Sequence, residues 1–195
     1  IGATLYDDSP DKILKEITQR DDFGTSDVFG VFINGYNDGQ QDFQFFVNAA
    51  DGQSDCITTD TNGEDYSWDA VWKSKAVITN KGWVVEMRIP YAALRFSSEK
   101  KQTWGLNFFR EIRRDRHKYT WNRIDSKLGT FTQQTGILEG IDNIKTPTRL
   151  IIFPYPSFYV NATAHQTTYG TLKGGLVLQY GITDAFLLDM ILVPD

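Results

Sequence analysis

The chain has 195 residues, a length for one large domain or one domain with part of another, and its formal net charge is −5. That mildly acidic balance argues against a cationic nucleic-acid binder, and 41% apolar with 23% charged residues excludes a disordered polyelectrolyte. The single cysteine, Cys56, excludes an internal disulfide and any Cys-rich metal framework. It reads as a small buried apolar residue.

The chain opens on IGATLYDD, with neither a basic leader nor an apolar core of a signal peptide, and residues 1–6 read as a strand already in progress. No apolar run of 18 residues exists to make a membrane helix. Residues 9–20 are the longest helical candidate: Ser9 is placed to cap, Pro10 suits the first turn, and Ile13, Leu14 and Ile17 share a face. Period two then takes over. Phe29, Val31 and Ile33 alternate with Gly30, Phe32 and Asn34, and Phe43, Phe45 and Val47 with Gln44, Phe46 and Asn48. The same holds for Trp83, Val85, Met87 and Ile89, and for Trp104, Leu106 and Phe108. Turns at Tyr36-Asn37-Asp38-Gly39 and Asn80-Lys81-Gly82 separate these strands, and a single helical turn fits 91–94. Four strands with one apolar face each imply an all-β, antiparallel sandwich or barrel.

Charge is unevenly spread. Residues 1–72 hold 15 acids and three bases, and the remainder 10 acids and 17 bases. Residues 150–195 carry only Lys173, Asp184, Asp189 and Asp195. A boundary is expected in 141–149, IDNIKTPTR, which has turn residues and a Pro but no apolar period. Beyond it Ile151, Phe153, Tyr155 and Ser157 alternate with Ile152, Pro154 and Pro156, and GGLVLQYGI and DAFLLDMILVPD follow around Thr183-Asp184. Segments of about ten residues, nearly free of charge and aromatic at their ends, fit transmembrane β-strands. Taken alone, the same segment fits a buried hairpin of a soluble domain.

Three strings carry a family resemblance: SDVFGVFINGYNDGQQDFQFFVNAAD, WDAVWKSKAVITNKGWVVEMRIPYAALRF and QTWGLNFFREIRRDRHKYTWNRI. They resemble the N-terminal module of a bacterial family in which a carbohydrate-binding-family-9-like β-sandwich precedes a C-terminal β-barrel of unknown function, the DUF5916 type. TGILEGIDNI with PYPSFY resembles that family's linker and first barrel strand, and GGLVLQYGITDAFLLDMILVPD the next hairpin. The resemblance implies a sandwich over 1–140 lacking its first strands, a linker over 141–149, and the first strands of an outer-membrane barrel over 150–195. The chain would then be a segment of a larger protein of the Gram-negative cell envelope, in contact with outer-membrane lipid.

Sugar recognition needs exposed aromatic planes beside hydroxyl-binding groups. Trp68 and Trp72 flank Asp69, and Trp121 sits among Tyr119, Asn122 and Arg123; Asn107 and Arg110 project from the strand bearing Trp104. These residues are the candidate glycan contacts, since family-9 modules grip a terminal sugar between two Trp rings. Core packing for the tryptophans, and cross-strand pairing for Arg110, Glu86 and Arg88, are the plainer roles. Asp21, Asp22, Asp27 and Asp38 offer hard oxygen ligands for Ca²⁺, although YNDGQQD lacks the Glu that closes an EF-hand loop. Solvated turn acids are the alternative. The run Arg110, Arg113, Arg114, Arg116, His117 and Lys118 would pair with the acidic half, touch lipid head groups or dock the sandwich; nucleic acid is not expected. None of the six Glu falls in a hydrolase motif, His117 and His165 lie far apart, and no GxSxG, HExxH or P-loop string occurs. The expected function is a non-catalytic, glycan-recognising module with no required cofactor. A docking module for other envelope proteins, without a sugar site, is the first alternative, and part of a glycan-processing hydrolase the second.

Overall fold

The computed structural model describes residues 1–195 apart from 126, 146–149, 164–165, 183–185 and 193–195, and describes the backbone alone at 161–163, 166–169 and 187. The turn at Thr183-Asp184, His165 and the end of the expected linker lie outside the described residues. Among the described residues thirteen strands are present and every named strand pairing is antiparallel. The chain divides into two compact units, Ile1–Thr146 and Pro147–Asp195.

In the first unit, β1 (Gly2–Tyr6), β7 (Gly82–Arg88) and β6 (Lys73–Thr79) form one sheet in the order β1-β7-β6. The second sheet runs β10-β8-β2-β3-β4-β5, from β10 (Gly136–Asp142), β8 (Lys101–Ile112), β2 (Val28–Asn34), β3 (Gln41–Asn48), β4 (Gln53–Thr59) and β5 (Gly63–Asp65). β9 (His117–Thr120) also pairs with β8. Period two places Leu5, Trp83, Val85 and Met87 of the small sheet against Phe29, Val31, Phe45, Val47 and Trp104 of the large one, all in one buried cluster. The result is a sandwich-like all-β fold. Gly82 closes the two-residue β6–β7 turn at φ 132°, where a Cβ would run into the carbonyl oxygen of Leu5 on the neighbouring strand.

Two features depart from the sequence pattern. First, β2 and β3 are buried on both faces, not one. Val28, Phe32, Phe46 and Cys56 form a second apolar layer on the side away from the small sheet, roofed by Phe23, Tyr66, Phe109 and Phe131. Their rings meet edge-on or stacked, Phe32 to Phe131 at 5.1 Å and Phe23 to Phe46 at 5.2 Å. Second, residues 9–20 do not form a helix. Only a 3-10 turn at Pro10–Lys12 appears, Ser9 makes no side-chain cap bond, and no α-helix is present among the described residues. Side chains elsewhere take the backbone groups a helix would need. Glu16 N donates to Ser26 Oγ (2.8 Å) and Thr18 Oγ1 to Asp22 O (2.6 Å), so the segment stays irregular. The other short turn, Tyr91–Ala93, falls where it is expected.

Charge joins the two sheets at one corner. The Asp7 carboxylate, buried just after β1, accepts from Arg114 Nη2 at 2.9 Å and from the Ser9 amide at 2.8 Å, and lies 3.7 Å from Arg110. Arg110 also donates to the Tyr6 carbonyl at 2.8 Å. Burial alone would raise the Asp7 pKa, but the hydrogen bonds from Arg114 and Ser9 and the charges of both arginines hold it below the ordinary carboxylate value. The acidic first half and the basic β8–β9 run meet here.

The second unit is a three-stranded meander, β11 (Leu150–Thr163), β12 (Gln166–Gly181) and β13 (Leu187–Leu192), in that order. Its register separates two faces. Leu150, Ile152, Pro154, Pro156, Phe158 and Val160 pair with Tyr180, Leu178, Leu176, Gly174, Leu172 and Gly170, and β13 adds Leu188, Met190 and Leu192 to that side. Not one of these residues is polar apart from the tyrosine hydroxyl. The opposite face is mixed: Ser157 beside Lys173, Tyr159 beside Thr171 and Gln179 beside Asp189 share it with Ile151 and with the apolar row Phe153, Val177 and Ile191.

Burying β2 and β3 on both faces makes both layers costly to cut. Trp83→Ala in the inter-sheet core and Phe46→Ala in the outer layer should each lower unfolding free energy by about 3–5 kcal/mol in guanidinium titrations. A Phe46→Ala cost within about 0.5 kcal/mol would make the outer layer mere surface.

Candidate functional site

The five residues expected to touch a sugar have different fates. Trp72 is buried, its ring 5.5 Å edge-on from Phe45. Trp68 is half-buried against Phe43 (5.2 Å) and Phe45 (5.9 Å), on the inter-sheet side of β3. Asp69 between them is held by Arg20 Nε at 2.9 Å. Asn107 is fully buried and acts as a backbone clamp: its Oδ1 accepts from the amides of Asn122 (2.8 Å) and Phe108 (3.0 Å), and its Nδ2 donates to Asn122 O (3.1 Å). Arg110 belongs to the Asp7 corner. Trp121 alone stands out, 61% exposed, with one edge on Phe108 at 5.9 Å. Its ring lies so close to Gly136 that a Cβ there would collide with it. Tyr119, also exposed, precedes it on β9.

The four acids expected to bind Ca²⁺ do not come together. Asp21, at φ 63°, accepts from the Asp55 amide (2.9 Å) beside the Arg20 guanidinium (3.8 Å), and Asp22 caps its own turn by accepting from Gly24 N (2.9 Å). Asp27 is buried at the corner, where it accepts from the Arg113 amide (3.0 Å). Burial raises its pKa, while that bond and the charges of Arg110 and Arg114 pull it back. Two nearby arginines make that corner hostile to a cation. Asp38 Oδ1 accepts from Gln40 N (3.0 Å) and Asn34 Nδ2 (3.1 Å). Among the described residues no three His, Cys, Asp or Glu side chains are arranged to hold a metal.

The structure adds one acid that periodicity hides. Asp42 starts the alternation of β3 and looks like a strand-end polar residue, yet it is fully buried and neither carboxylate oxygen has a hydrogen-bond partner. Burial first, then the charges of Asp60 and Asp38, push its pKa up to about 7. Cys56, in the outer layer, is a different case: burial pushes its thiol up to about 12, so it is inert as a nucleophile.

Because the folded state holds the Asp42 proton up to about pH 7 and the unfolded chain releases it near 3.8, the proton favours folding at acid pH. That contribution is full below pH 3.8 and disappears as pH rises through 7. In chelator-treated buffer, the stability difference between Asp42→Asn and wild type should grow in favour of the variant from pH 4 to pH 8, by about 2–4 kcal/mol in urea melts. A pH-independent difference would mean that Asp42 titrates normally.

Residues 146–195 match the model of the family described as Domain of unknown function (DUF5916). No curated protein matches the chain. The matched stretch is the three-stranded meander, so the DUF5916 part of the resemblance rests on the second unit.

Proposed function

We propose that this chain is a non-catalytic part of an outer-membrane β-barrel protein, in which Pro147–Asp195 supplies membrane-spanning strands and the Ile1–Thr146 sandwich is a docking module for other components of the envelope. The observation that carries the reading is the face separation of the meander. A strand crossing a bilayer at about 45° needs roughly 9–11 residues, with one side for lipid and the other for a polar interior. β11 has 14 residues and β12 has 16, and the even-numbered face they share is uncharged where Leu150–Val160 pairs with Gly170–Tyr180. Phe158, Val160 and Leu172 on that face are exposed, Leu172 to 75%. In a soluble domain such a face would need a covering layer. The family match over the same residues supports the reading.

The docking role for the sandwich is favoured over glycan recognition by the packing of Trp68 and Trp72 against Phe43 and Phe45, which takes that pair of rings out of use for gripping a sugar. Glycan binding is the second reading, and it rests on Trp121 with its open indole face. Neither role requires a cofactor.

Placing an arginine on each face tests the membrane assignment in the full-length protein. Ile152→Arg or Leu178→Arg, paired on the apolar face, should block membrane integration, at a cost of about 2–4 kcal/mol each near the midplane, while Ser157→Arg on the other face integrates normally. Partition of the wild-type protein into the aqueous phase without detergent would end the barrel reading. On a glycan array, docking without sugar recognition predicts no specific signal; binding that is lost in Trp121→Ala would favour the second reading.

A further inference from the structure

Asp42 belongs to a cluster in which oxygens outnumber protons: it pairs with Thr58 on β4, two residues before Asp60, and lies three residues after Gly39. It is fully buried, and both its carboxylate oxygens lack a donor. Asp60, at the end of β4, is the foremost charge acting on it. Asp60 Oδ2 takes the hydroxyl of Thr130 at 2.7 Å, and Asp60 Oδ1 lies 2.6 Å from Thr132 Oγ1. That same Thr132 oxygen, buried, lies 2.7 Å from the Gly39 carbonyl oxygen. A threonine hydroxyl has one proton to give. One of the two Thr132 contacts therefore sets two oxygens within about 2.7 Å with no hydrogen between them. Asp38 offers no relief, since its Oδ1 already accepts from two donors and it adds a third negative charge. No ion pair among the described residues involves Asp38, Asp42 or Asp60.

We propose that this cluster binds one Ca²⁺ ion through the carboxylates of Asp42 and Asp60, with Thr132 Oγ1 and the Gly39 carbonyl oxygen as neutral ligands. The donor set is all oxygen, which excludes the softer transition metals. It comes from the β2–β3 turn, the start of β3, the end of β4 and the segment before β10. Such an irregular set suits the six to eight ligands and flexible geometry of Ca²⁺ better than the strict octahedron of Mg²⁺, with water completing the shell. Two carboxylates suffice, in keeping with the lack of any acidic trio arranged around one point. The ion would tie the segment before β10, held here by the Thr130 and Thr132 hydroxyls, to the paired ends of β3 and β4. The inference does not depend on the membrane assignment, because every ligand belongs to the first unit.

The test uses the full chain in detergent, stripped with EDTA and titrated with CaCl₂ by isothermal calorimetry, with thermal unfolding followed in parallel. Saturable one-site binding and a midpoint that rises with Ca²⁺ are expected. Asp42→Asn, which removes a buried charge and should fold, and Asp60→Asn should each weaken binding at least ten-fold. The exposed Asp11→Asn should leave it unchanged. Wild-type protein that gives neither heat nor a midpoint shift overturns the site, as does a Ca²⁺ response retained in both Asp42→Asn and Asp60→Asn.

Discussion

Burial of β2 and β3 on both faces is the constraint on which the rest of the first unit depends. A strand flanked by strands on both sides and covered above and below has no solvent-facing side chains, so every residue must either pack or find a hydrogen-bond partner. Phe29, Val31, Phe45 and Val47 satisfy this on the inter-sheet side, and Phe32 and Phe46 on the other. The demand explains why 14–26 and the segment before β10 cross the outer face as irregular chain. They are there to cover phenylalanines, and their own backbone groups are met by Ser26, Asn48 and Gln134 side chains. It also explains why tryptophans that look like sugar contacts are packed inside: Trp68 and Trp72 close the end of the inner core against Phe43 and Phe45.

Electrostatics works within that frame. The strongest charge imbalance of the sequence, acids early and bases in β8–β9, resolves into the Asp7–Arg110–Arg114 corner, where a buried carboxylate is kept ionised by two guanidiniums. Asp55 is met by Arg20, although burial still raises its pKa. Asp42 has no such partner. The contrast among Asp7, Asp55 and Asp42 is physical: the first two face arginines, and Asp42 has no hydrogen-bond donor.

Strand positions were legible because one-sided burial writes period two into the chain, and Trp83, Val85 and Met87 read correctly as core for that reason. The two faces of the meander were legible too: Ile151, Phe153, Tyr155 and Ser157 do oppose Ile152, Pro154 and Pro156. What periodicity missed were effects of tertiary covering. Phe32 and Phe46 alternate out of phase with the core and looked like exceptions, yet they found a second layer. Ile13, Leu14 and Ile17 have helical spacing, but Ile13 alone enters the core while Ile17 is 92% exposed. Asp42 was invisible as a site because its isolation depends on Asp60 and Thr132, which are 18 and 90 positions away in the sequence.

Cys56 has a practical consequence of its own. With its thiol sealed in the outer layer and held in the protonated form at neutral pH, the chain is already a nearly silent background for thiol chemistry. New cysteines placed at single positions along β11 or β12 would report solvent, lipid or interior surroundings through maleimide reactivity or spin labels. No cysteine-free variant would be needed first, and the packing around Phe32 and Phe46 would stay untouched.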